Sequence, residues 1–118
     1  MERWYLSHPY SDNTQKRLEE VLKIRKAFYQ DKKHDNIVLV IPQLATIHLQ
    51  NDFGRERGMK DCIELLSTCS KMVYVIKEYD FATGMKIESE YCNKNNIPIK
   101  KLDLDWQNQT LTNKIKLI

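Results

Sequence analysis

The sequence predicts an α/β domain built on a mainly parallel sheet. Four short apolar runs alternate with amphipathic stretches along the 118 residues, joined by short connections. The run Ile37-Val38-Leu39-Val40-Ile41 is apolar at every position, the pattern of a strand covered on both faces. The stretches between the runs keep apolar residues at helical spacing.

Taken in order, Trp4 to Ser7 reads as the first strand, and His8-Pro9-Tyr10-Ser11-Asp12-Asn13 as a turn with Asn13 or Thr14 able to cap a helix. From Thr14 to about Gln30, residues Leu18, Val21, Leu22, Arg25 and Phe28 form one helical stripe, with the aliphatic part of Arg25 beside it. Asp35-Asn36 marks a turn before the Ile37 strand, which ends at Pro42. Gln43 to Phe53 is irregular, with room for a short helix.

Gly54 to Cys69 reads as an amphipathic helix whose inner face is Met59, Cys62, Ile63, Leu66 and Cys69. Lys71 to Ile76 is a third strand, Lys77 to Ala82 a loop, and Thr83 to about Asn95 a third helix broken by Asn95-Asn96. A fourth strand runs from Ile97 to about Leu104, with Pro98 at its start or on an edge. The tail after Trp106 suits an extra strand, a packing arm or an oligomer contact. The elements sum to a small Rossmann-like (flavodoxin-like) three-layer sandwich with a four- or five-stranded sheet in one domain, residues 1–118, of which 107–118 form a tail or oligomer arm.

Composition narrows the function classes. Hydrophobic residues make up 42% and charged residues 30%, as in a soluble globular protein. The net charge of +3 is spread among mixed signs, so no basic stripe points to duplex nucleic acid. No apolar run approaches the ~20 residues of a membrane span. Three cysteines and no signal peptide point to a reducing, cytoplasmic setting. His8, His34 and His48 have no metal-ligand spacing, so neither a metal nor another cofactor is expected.

In open parallel sheets, ligands bind beyond the carboxyl ends of the strands, where the strand order reverses. Three segments leave those ends: His8 to Asn13, Pro42 to Phe53 and Lys77 to Gly84. Two lead into helix N-termini, which favour phosphate or carboxylate groups. The first has no glycine, so neither GxGxxG nor a Walker A loop is present. Glu88 lies about one turn into the third helix, on the stripe of Met85, Tyr91 and Cys92. A glutamate there is either half-exposed at the stripe's edge or desolvated and put to use; the helix alone leaves both open.

The order of segments resembles the nucleoside 2-deoxyribosyltransferase-like superfamily over roughly residues 4 to 103, and most its small, largely uncharacterised branch common in phage genomes. The matching pieces are the strand and proline turn YLSHPYSDN, the proline-ended strand VLVIP, and GRERGM with Arg55 or Arg57 before Gly58. Leu65-Leu66-Ser67-Thr68-Cys69 and Gly84-Met85-Lys86-Ile87-Glu88 follow. The resemblance implies that Glu88 is the nucleophile that attacks the anomeric carbon, with Tyr5 orienting it; Asp12 and Asp80, near in sequence, are the acid/base candidates of such an enzyme. It implies substrate contacts from Ser7, His8, Pro9, Ser11, Asn13, Arg57, Gly84 and Met85. It also implies a homo-oligomer, because such enzymes complete their sites with a neighbouring subunit.

Two positions depart from the pattern. Ser70 stands where relatives carry Asp, and Ala82 stands where the transferases carry a base-handling Asp. Three functions follow. The first is an N-glycosidic enzyme, a deoxyribosyltransferase or deoxynucleotide N-hydrolase, acting on a nucleoside, nucleotide or nucleotide-derived small molecule. The second is a non-catalytic nucleotide-binding or signal-sequestering phage protein. The third is an interaction protein that keeps only the scaffold.

Overall fold

A computed structural model describes residues 1–9, 14–44, 55–75, 83–108 and 110–111. Its main sheet has four parallel strands in the order β2-β1-β3-β4. These are β1 (Glu2–Leu6), β2 (Ile37–Val40), β3 (Lys71–Tyr74) and β4 (Ile99–Lys101). Three helices alternate with them: α1 (Thr14–Gln30), α2 (Arg55–Leu66) and α3 (Thr83–Lys94). Register is set by Tyr5 opposite Val40 on one side and opposite Met72 on the other. This is the expected flavodoxin-like α/β fold, with helices on both faces of a parallel sheet.

Side chains alternate across β1 because a strand has a period of two. Trp4 and Leu6 join Val21, Ile24 and Phe28 of α1 in one apolar cluster, with Leu39, Val73 and Leu102. Tyr5 turns to the other face, where Leu66, Cys69, Met72 and Cys92 enclose it beside α2 and α3. The chain passes from β1 to β2 on one side, then returns to place β3 on the other. The strand order therefore reverses at the carboxyl ends of β1 and β3.

The buried stripe of α1 is rotated from the expected one. Val21, Ile24, Ala27 and Phe28 are buried, whereas Leu22 is 39% exposed and Arg25 is exposed. Ile24 takes the inward position that the expected stripe assigned to its neighbours, and the Arg25 guanidinium stays in water. Val38 is also exposed, although β2 was expected to be covered on both faces: β2 is a sheet edge, and Val38 lies opposite Arg3.

That edge is closed by a side chain. The Tyr29 hydroxyl donates to the Ile37 carbonyl at 2.9 Å and accepts the Leu39 N–H at 2.8 Å. One residue of a further parallel strand would make the same two bonds opposite Val38.

The first strand begins at Glu2 rather than Trp4, and Ser7 N–H still donates to the Val73 carbonyl at 2.9 Å. Residues 42–44 are helical, with Pro42 in the first turn where its missing N–H costs nothing. Helix α3 ends as Asn95-Asn96 foretold: Asn96 adopts φ 57°, and Ile97 N–H reaches back to the Cys92 carbonyl at 2.8 Å. The predicted fourth strand divides in two. Ile99–Lys101 joins the sheet, while β5 (Leu104–Asp105) pairs antiparallel with β6 (Thr110–Leu111). The described part of the tail thus folds onto its own chain, with Leu104 and Leu111 packed against the α1-side core.

Candidate functional site

Glu88 is buried, 5% exposed, on the inner face of α3. The half-exposed reading of this residue is therefore wrong. Its two carboxylate oxygens are held from β1. The Tyr5 hydroxyl donates to Oε2, and the Ser7 hydroxyl donates to Oε1 at 2.7 Å. Tyr5 and Ser7 are two residues apart on one strand, so they share a face and meet both oxygens of one carboxylate. Both are fully buried.

Burial pushes the Glu88 carboxyl up to about 7, against the lowering effect of the Tyr5 and Ser7 hydrogen bonds. Tyr5 is raised well above its ordinary value, first by burial and then by the neighbouring Glu88 and Cys62. The Cys92 thiol, also near Glu88, is pushed up to about 11, mainly by burial. The arrangement is an acid with two neutral hydroxyl donors, at the sheet end where the strand order reverses. Ionised, such a carboxylate is fixed in direction and suited to attack or stabilise an electron-poor carbon.

The next residue, His8, points to the opposite face. Its Nε2 lies 2.9 Å from Glu20 Oε1 on α1, and the Arg17 guanidinium donates to the same oxygen at 2.9 Å. Burial alone would raise Glu20, but the bonds from His8 and Arg17 outweigh it and hold the carboxyl below its ordinary value. Gln43 follows Pro42 in the helical turn after β2 and is also buried; its amide donates to the His8 carbonyl at 2.9 Å. The sequence reading missed Glu20 and Gln43. The i,i+3 pairing of Arg17 with Glu20 was a visible signal for the first, and nothing local marked the second.

Other expected site residues lie as follows. Pro9 is buried just after β1. Met85 is 1% exposed and belongs to the core rather than to an open crevice. Gly84 is in the first turn of α3; a Cβ there would meet only the Met59 sulfur, at an ordinary 3.6 Å, so the chain's own packing does not demand glycine. Arg57 is exposed on α2, 3.5 Å from Asp61, and is not brought to Glu88. Asp12, Asp80, Ser11, Asn13 and Ala82 lie outside the described residues.

Ser70, one of the two departures, lies just before β3, and its N–H donates to the Arg3 carbonyl at 2.8 Å. Its hydroxyl meets Glu2 at 3.0 Å. It therefore sits at the amino end of the sheet, away from Ser7 and the carboxyl end. Among the described residues no cluster of three His, Cys, Asp or Glu could hold a metal ion, and no helix is long and apolar enough to cross a membrane.

In solved structures, the chain is similar to the 2-deoxyribosyltransferase of the psychrotolerant bacterium Bacillus psychrosaccharolyticus. The likeness covers 98% of this chain and 99% of that one, with a TM-score of 0.63 and 15% identity, and it is a likeness of fold. No curated protein matches the chain. A family model matches residues 2–102, from the first residue of β1 to just past β4, and the chain belongs to that family, a domain of unknown function, DUF7768.

Proposed function

We propose that the protein breaks the N-glycosidic bond of a deoxynucleoside or deoxynucleotide, with Glu88 as nucleophile. The observation that carries this reading is the buried Glu88 carboxylate, held at both oxygens by Tyr5 and Ser7. Its place at the switch point of a flavodoxin-like sheet supports it, as does the likeness of fold to a 2-deoxyribosyltransferase.

In the proposed reaction, one Glu88 oxygen bonds to the anomeric carbon. The carbon–nitrogen bond breaks, and its electron pair leaves with the base, which takes up a proton. Asp12 or Asp80 supplies that proton. A second base or a water then attacks the same carbon, Glu88 departs as carboxylate, and the attacking nitrogen or oxygen gives up its proton. Tyr5 and Ser7 orient the nucleophile, so Ser7 acts on Glu88 rather than on the sugar. The β1–α1 segment, with Ser11 and Asn13, contacts sugar or 5′-phosphate at the α1 N-terminus, while His8 holds the segment to α1 through Glu20. Gly84 lets a substrate approach the start of α3, where a side chain would otherwise stand. A second copy of the chain completes the crevice.

The test is release of free base from a panel of deoxynucleosides and deoxynucleotides by the wild type and by Glu88→Gln. Release by the wild type that is lost in the variant supports the reading. Undiminished release by Glu88→Gln removes Glu88 from the mechanism. Calorimetric binding of nucleotides or cyclic nucleotides without turnover makes the protein a binding module instead.

A further inference from the structure

We propose that Gln43 is a positioning residue for Glu88 and acts through Ser7: its carboxamide replaces a missing backbone donor of β2 and so holds the end of β1 from which the Ser7 hydroxyl reaches the carboxylate. The catalytic meaning of this support rests on the function proposed above; the support itself does not.

Ser7 and His8 lie beyond the paired part of β1. The ladder to β2 ends at Tyr5 opposite Val40, and the ladder to β3 ends at Leu6 opposite Val73. Backbone groups of a central strand face its two neighbours alternately. Ser7 N–H goes to the β3 side, to the Val73 carbonyl at 2.9 Å, so the His8 carbonyl faces the β2 side. Continued past Val40, the register would set His8 opposite Gln43, and the donor for that carbonyl would be the next N–H, that of Leu44. The helical turn at residues 42–44 has already used it: Leu44 N–H donates to the Ile41 carbonyl at 3.1 Å. The Gln43 side chain donates to the His8 carbonyl instead, at 2.9 Å.

A carbonyl only accepts, so the carboxamide nitrogen must be the end that faces it. The Gln43 oxygen is then left buried, with no partner among the described residues. An unmade buried acceptor costs at least what one neutral hydrogen bond contributes. The residue therefore adds little to the stability of the fold, and what it supplies is the placement of the β1 end.

That end carries one of the two donors to Glu88. Tyr5 comes from the paired part of the strand, where both neighbours fix its backbone. Ser7 comes from beyond it, and its hydroxyl must still meet Oε1 at 2.7 Å. The Glu20 bond to the His8 imidazole ties that side chain to α1, whereas the Gln43 bond fixes the peptide itself. Among the described residues, the titratable groups around Glu88 are Tyr5 on β1, Cys62 on α2 and Cys92 on its own helix. All three stay unaltered when Ser7 or Gln43 is replaced.

The experiment is a carboxyl-carbon NMR titration of Glu-labelled protein, with Glu88→Gln identifying the signal. It is run on the full chain as wild type, Gln43→Met, Ser7→Ala and the double variant. Ser7→Ala is expected to raise the Glu88 midpoint by about one pH unit and Gln43→Met by roughly 0.3–0.7. The double variant should go no further than Ser7→Ala alone, because Gln43 has nothing left to position. Gln43→Asn, whose shorter amide stops short of the carbonyl, should shift the midpoint in the same direction as Gln43→Met. A midpoint unchanged in both Gln43 variants, or shifts that add in the double variant, overturns the proposal; addition is what loosened packing alone would give. Base release is measured alongside, and Gln43→Met should lower kcat about 3–10-fold with KM nearly unchanged. A loss confined to KM would set Gln43 against the substrate and overturn the positioning role. A wild type inactive on every substrate sinks the proposed function while the titration still decides the role of Gln43.

Discussion

Glu88 and Glu20 face opposite sides of the sheet, and their surroundings treat a carboxylate in opposite ways. Glu20 shares one oxygen between an imidazole and a guanidinium, keeps some contact with water, and is held below its ordinary value. Glu88 is more deeply buried, has only neutral hydroxyls for partners among the described residues, and is pushed up to about 7. A structural carboxylate is normally given a charged partner or left in water. The α1 side follows that rule. The α2/α3 side departs from it, and such departures cluster where a group is used rather than merely accommodated.

The largest effect that would test this contrast is on activity. Glu88→Gln keeps the shape and part of the hydrogen bonding but removes the nucleophile, so base release should fall at least ~10³-fold. Glu20→Gln should leave the chemical step within a few-fold. Comparable losses in the two variants would erase the functional difference between the faces. Turnover by the wild type should also rise with pH through about 7, as Glu88 ionises.

Next comes packing. Phe28 is fully buried in the α1-side core, in edge contact with Trp4 at 5.7 Å and stacked on His34 at 3.9 Å. Phe28→Ala should cost about 3–5 kcal/mol in denaturant unfolding. The Glu88 midpoint should stay where it is, because the sheet separates the two clusters. A shifted midpoint would mean that the faces are coupled.

The third effect is linkage. The folded chain keeps the Glu88 proton up to about pH 7, whereas an unfolded chain releases it near 4.5. Between these values the folded state binds more protons, so stability falls as pH rises and levels off above pH 7. The span corresponds to about 3 kcal/mol. Glu88→Gln should lack this decline and be the more stable protein at pH 8. Glu20 has the opposite sign: its contribution is present above its unfolded value and is lost as pH falls through its lowered folded value. Unfolding curves from pH 4 to 8 separate the two. A wild type with flat stability over the Glu88 window would show that the carboxyl is not raised.

Much of this was legible in the sequence, because periodicity is a local property. The alternation of strands and helices predicted the parallel sheet, and Asn95-Asn96 predicted the end of α3. Glu88 stood out as a carboxylate on an inward stripe. A period of two placed Tyr5 and Ser7 on one face, but nothing local said that they would share one carboxylate 81 residues or more away. The Arg57 expectation neglected helix geometry: two residues before Met59 is the far side of α2, and Arg57 is exposed there. In α1, Leu22 and Ile24 were equally apolar candidates, and only tertiary packing chose Ile24. Ser70 read as a lost site group because motif order does not reveal which end of a strand faces the crevice; it lies at the opposite end.

The smallest effect comes from deleting the same atom on each face. Tyr5 and Tyr29 each engage their phenol hydroxyl, but Tyr5 is fully buried against a carboxylate, whereas Tyr29 is 39% exposed against two backbone groups of β2. Tyr5→Phe removes one of the two donors to Glu88. It should raise the Glu88 midpoint by about one unit and cost about 1.5–3 kcal/mol at pH 8, where the carboxylate is charged. The cost should shrink at pH 5, where Glu88 is neutral. Tyr29→Phe exposes a carbonyl and an N–H that water can satisfy, so its cost should stay at or below about 1 kcal/mol and be equal at the two pH values. It also unblocks the β2 edge, and light scattering should detect any added self-association there. If both variants lost the same stability at both pH values, burial beside a charge would not distinguish the two faces, and the case for Glu88 as a strained, functional carboxylate would fail.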